Sequence, residues 1–115
     1  MSRVENSEQL LTKAYDIDLL NKLIIQLNKD FRLAGIDQVF ELSSKPKELI
    51  VQLNGVVYGL LQNRFDDYLN LLYLVDINEV EIKKLDGSNL SNLSEKITFL
   101  LLKREWQKVW FRNKL

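Results

Sequence analysis

Ile17, Leu20, Ile24, Leu27, Phe31 and Ala34 recur at steps of three and four residues, and Leu19 and Leu23 widen the stripe. Only a helix brings such positions onto one face, so the spacing predicts an amphipathic helix over residues 17–34. Asp16 or Asp18 is placed to cap its free N–H groups, and Gly35 to end it in a left-handed turn. The same pitch returns at Leu49, Leu53, Val56, Val57, Leu60 and Leu61, which predicts a second helix over residues 46–63. Serine caps, Pro46 and Glu48 in "SSKPKEL" mark its start. Gly55 and Gly59 lie one turn apart inside it, where each glycine costs about 1 kcal/mol against alanine. Close approach of a neighbouring helix would account for that cost, and so would local looseness.

Phe65, Tyr68, Leu69, Leu72 and Tyr73 continue the pattern, with Leu71, Leu74 and Val75 on the other faces. A segment apolar nearly all round is expected at the centre of a bundle. Only Asn63 and Arg64 separate it from the preceding helix, so one kinked helix and two helices are both open. A short helix over residues 77–85 follows, with Asp76–Glu79 and Asn78–Glu81 at capping-box spacing and "DGSN" as its stop. The last helix is predicted over 93–113, capped by Ser91, Asn92 or Ser94. Residues 1–14 lack a convincing stripe and are expected to be loose, and residues 36–44 read equally as loop, strand or helical turn. The expected architecture is all-α: a single domain, residues 1–115, forming a bundle of four or five helices. Its central pair, at 46–75, would be sandwiched by the first and last helices.

Composition narrows function mainly by what is missing. The chain has no cysteine and no histidine, which removes thiolate chemistry, disulfides, the usual general base near neutral pH and the commonest metal ligand. A chain without disulfides is expected in a reducing cytoplasm. Its polar opening, "MSRVENSEQLLTKAYDID", suggests neither a signal peptide nor an anchor, and no apolar run approaches a membrane span.

The densest chemistry is "RFDDYLNLLYLVDINEVE", residues 64–81, where Asp66, Asp67, Asp76, Glu79 and Glu81 flank the apolar run. Adjacent helical residues point about 100° apart, so Asp66 and Asp67 cannot both face one substrate. Asp76 and Glu79 have the spacing of helix caps, and the stretch lacks the turn glycine and closing glutamate of a calcium loop. We therefore read these acids as caps and a solvated face. No catalytic, cofactor-binding or metal-ligating residue is assigned, and a carboxylate-based, metal-dependent enzyme is the less favoured reading.

At this stretch, "RFDDYLNLLYLVDINE", preceded by "KDFRLAG" and "PKELIVQL", resembles a group of small uncharacterised helical proteins of bacteria. Where those carry "LLYRID" this chain has "LLYLVD", so leucine stands at position 74 in place of their arginine. The likeness covers residues 16–85 and leaves out the tail. It implies a bacterial, helical, cytoplasmic protein and carries over no activity.

The tail, "KREWQKVWFRNKL", is the other candidate. Lys103, Arg104, Lys108, Arg112 and Lys114 stand there against Glu105 alone, a surplus of four positive charges in a chain whose total is zero. Phe99, Trp106 and Trp110 form a stripe that either closes the bundle or docks in a partner's groove. Cations beside indole rings also suit unpaired nucleic acid, and a basic amphipathic helix suits an anionic membrane. We expect a non-catalytic interaction protein, with another protein or a second copy as partner and nucleic acid as the alternative. The expected contact residues are Phe99, Lys103, Trp106, Trp110, Phe111 and Arg112.

Overall fold

A computed structural model describes residues 6–114. Among them are six helices and no strand: α1 (Ser7–Asp16), α2 (Leu20–Leu33), α3 (Pro46–Asn63), α4 (Phe65–Val75), α5 (Glu79–Lys83) and α6 (Leu90–Lys114). The all-α bundle is as the apolar spacing predicts. Its radius of gyration, 13.3 Å, is that of one domain of this length, about 13 Å.

The first departure is α1. Residues 7–14, expected to be loose, are helical, and Leu10, Leu11 and Ala14 have no exposed surface. Three buried apolar positions in ten residues make too short a stripe to read. A helix this short is marginal alone, so its packing against α2, α3 and α6 holds it. Asn6 caps it, its side-chain oxygen accepting from the Gln9 N–H at 2.9 Å. The expectation for residues 1–5 lies outside the described residues.

Three helices end in the same left-handed turn, and only one uses glycine. Gly35 closes α2 at φ 80°, with its N–H donating to Arg32 and that of Ile36 to Phe31. Asp18 (φ 62°) does the same for α1, and Asp76 (φ 69°) for α4. Neither aspartate caps the helix that follows it, contrary to expectation. α2 starts at Leu19 without a side-chain cap, and α5 is capped by Asn78, which accepts from the Val80 N–H at 2.9 Å. α5 is confined to Glu79–Lys83, well short of 77–85.

Residues 36–45 are an ordered loop. Asn28 clamps it from α2: its side-chain oxygen accepts from the Phe40 N–H at 2.8 Å, and its amide donates to the Phe40 carbonyl at 2.9 Å. Phe40 is thereby set edge-on to Phe31, with ring centres 5.2 Å apart. α3 begins at Lys45 rather than at a serine, Glu48 accepting the Lys45 N–H at 2.9 Å. Arg64, at φ −141° and ψ 58°, leaves helical geometry and divides α3 from α4. A methyl group at Gly55 or Gly59 would meet nothing within 4 Å, so no helix approaches closely there.

The central helix is α6, not the 46–75 pair. It packs against α1, α2, α3 and α4, and its 25 residues, about 37 Å long, match the molecule's 36 Å long axis. It begins at Leu90, where the Asn89 side chain accepts from the Asn92 N–H, three residues before the predicted start. Neighbours on two sides bury both Leu101 and Leu102, and also polar Ser94, Thr98 and Glu105. Those buried polar residues blurred its stripe. α4, apolar nearly all round, buries only Tyr68, Leu71 and Val75.

Candidate functional site

The six residues expected to meet a partner do not form one surface. Trp106 has no exposed area and belongs to the core, which removes it from any contact surface. Trp110 packs on it with ring centres 5.8 Å apart and is itself half-buried. Phe99 and Lys103 are half-buried on the same stripe, and Phe99 lines a groove of about 510 Å³ with Ile50, Asn54 and Leu85. Phe111 is 61% exposed, and Arg112, also exposed, turns toward α2.

What the tail does instead is pair with α2 along an antiparallel ladder. Lys22, Gln26 and Asp30 stand four residues apart on one face of α2. Lys22 donates to the Asn113 side chain. Arg112 donates to Gln26 Oε1 at 2.6 Å, and Gln26 donates in turn to Asp30 at 3.1 Å. The Lys108 ammonium then reaches Asp30 at 2.9 Å and Glu105 Oε1 at 3.1 Å.

The end of this ladder is unusual. Asp30 is 4% exposed and Glu105 is wholly buried. Burial raises the Glu105 carboxyl to about 8, followed by the hydrogen bond and the charge of Asp30, with Lys108 offsetting part of the rise. The Lys108 contact is close but not aligned as a hydrogen bond, so an ionised Glu105 would have no aligned donor. A proton on Glu105 would let it donate to Asp30, which is the second cause of the rise. Below about 8 Glu105 is therefore the neutral member of the cluster.

Arg104 pairs on the surface with Asp76, just past the end of α4, its guanidinium 3.3 Å from the carboxylate. Three of the tail's cations thus have acceptors within the chain.

The surface that sequence reasoning missed is on α4. Phe65 (53% exposed), Leu69 (47%) and Tyr73 (84%) stand four residues apart on one outward strip. Leu72, Ile77 and Ile82 form the half-buried floor of a groove of about 770 Å³ between this strip and α5. Asp76 and Glu79 border it against Lys83, and Asp66 lies on the exposed edge of α4. The four-residue spacing was visible in the sequence, but an apolar outer face reads the same as an inner one.

The acids of residues 64–81 have structural positions. Asp66 and Asp67 occupy the first turn of α4, where the helix dipole favours carboxylates, and Arg64 pairs with Asp67. Glu79 and Glu81 do the same on α5. Among the described residues no three acids converge as a metal would require, and no helix is long and apolar enough to cross a membrane. No protein-family model, curated protein or solved structure matches the chain.

Proposed function

We propose that the protein is a non-catalytic interaction module of the bacterial cytoplasm, an adaptor, subunit or regulator, whose docking face is the α4–α5 groove. The observation that carries this reading is the outward strip of Phe65, Leu69 and Tyr73. Large aromatic and aliphatic side chains aligned on a helix beside a groove are the usual anchors of a protein contact. The bordering charges choose the occupant: with Asp76 engaged by Arg104, Glu79 at the groove and Asp66 on the exposed edge of α4 outnumber Lys83. A basic amphipathic helix of a partner protein, with apolar residues at three- and four-residue steps, complements both the floor and the rim. The pairing of Arg104, Lys108 and Arg112 with acceptors of the chain itself supports a protein partner over nucleic acid, since phosphate binding would have to break those contacts.

Replacing Leu69 with a photo-crosslinking amino acid in the native cell tests this directly. The expected adduct is to a partner's basic amphipathic segment, and Tyr73→Glu abolishes it while helicity and melting temperature persist. Adducts only to a second copy of the chain, or to nucleic acid, contradict it.

A further inference from the structure

We propose that Asp30, Glu105 and Lys108 form a proton-operated latch, in which a proton on buried Glu105, facing Asp30 across the helix contact, holds the C-terminal half of α6 against α2. As pH rises through the neutral range the latch loosens, and the helix end opens locally.

The geometry places the proton where it controls the helix–helix contact. Asp30 is on α2 and Glu105 on α6, both almost without exposure, and Lys108 spans the two at 2.9 and 3.1 Å. Beyond them toward the C-terminus, α6 is tied to α2 by polar contacts, Gln26 to Arg112 and Lys22 to Asn113. The charged groups acting on Glu105 are Asp30 from α2 and Lys108 from its own helix; α1, α3 and α4 add none among the described residues. Tyr68 of α4 is buried, and burial raises its hydroxyl above the ordinary value of 10.0, outside this window.

The direction follows from proton counting. With the segment closed, Glu105 keeps its proton up to about 8; with it open and in water, the carboxyl reverts toward its ordinary 4.5. Between those values the closed state holds one proton more than the open state, so rising pH favours opening. One proton gives at most about a tenfold change in the opening equilibrium per pH unit. Above the closed-state value the two states hold equal protons, and the dependence levels off.

Hydrogen exchange from pH 5.5 to 9.5, corrected for intrinsic amide rates, reads this out. Amides of residues 105–112 are expected to lose up to about tenfold of protection per pH unit and to reach a plateau near pH 8. Amides of α1 and α3 keep theirs. Glu105→Gln, which keeps the shape and removes the proton equilibrium, flattens the slope. If that variant folds poorly by circular dichroism, Asp30→Asn replaces it and shifts the plateau to lower pH. Protection of residues 105–112 that does not vary with pH overturns the latch. So does a slope that survives Glu105→Gln, a plateau that Asp30→Asn leaves in place, or an equal loss in α1 and α3, which would mean global unfolding.

Discussion

On the α2–α6 flank, charged side chains lie inside; on the α4–α5 flank, aromatic and aliphatic ones lie outside. Glu105 has no exposed surface while Tyr73 keeps 84% of its own. Polarity alone would reverse that order. What decides is whether the chain supplies a complement. Glu105 has Asp30 and Lys108 within reach, so its burial is compensated by a proton that Asp30 can accept a hydrogen bond from and by a nearby cation. No element among the described residues is laid over Phe65, Leu69 and Tyr73, and under the proposed function their complement belongs to another molecule.

The comparison can be broken most forcefully at Trp106. If the tail is core, Trp106→Ala costs about 3–5 kcal/mol in urea unfolding, while half-buried Trp110 costs clearly less. Equal and small losses would return both tryptophans to a surface role. Asn28→Ala removes both bonds to the Phe40 backbone and is expected to cost about 1–3 kcal/mol, with the loss of order confined to residues 36–45. The smallest effect sharpens the reading of the acids. Asp76→Gly relieves a left-handed aspartate and weakens only an exposed ion pair, so stability should hold or rise by up to about 1 kcal/mol. A large loss would mean that the carboxylate does more than end a helix.

The regular stripes of α2 and α3 were legible in the sequence, as were Gly35 as a left-handed end and Pro46 in a first turn. α1 was not, because Leu10, Leu11 and Ala14 are too few to show a period. The aspartates misled for a chemical reason: the short carboxylate that suits an N-cap also tolerates left-handed backbone, so Asp18 and Asp76 fit either role. The ladder was invisible because Lys108 and Asp30 stand 78 residues apart. No local pattern encodes such a meeting. The tail therefore looked like free positive charge, and α4 looked like the centre of the bundle, when each had the other's expected environment.

One paired measurement tests the account most directly: urea unfolding at neutral pH of Lys108→Met beside the double variant Leu69→Ser, Tyr73→Ser. Lys108→Met strands a buried carboxylate and should cost about 3–5 kcal/mol, although Lys108 has the side chain of a surface residue. The double variant removes two large apolar groups and should stay within about 1 kcal/mol of the wild type, since both are mostly in water. The reverse order, an inert Lys108 and a collapsing α4 variant, would contradict the assignment of structure to one flank and binding to the other.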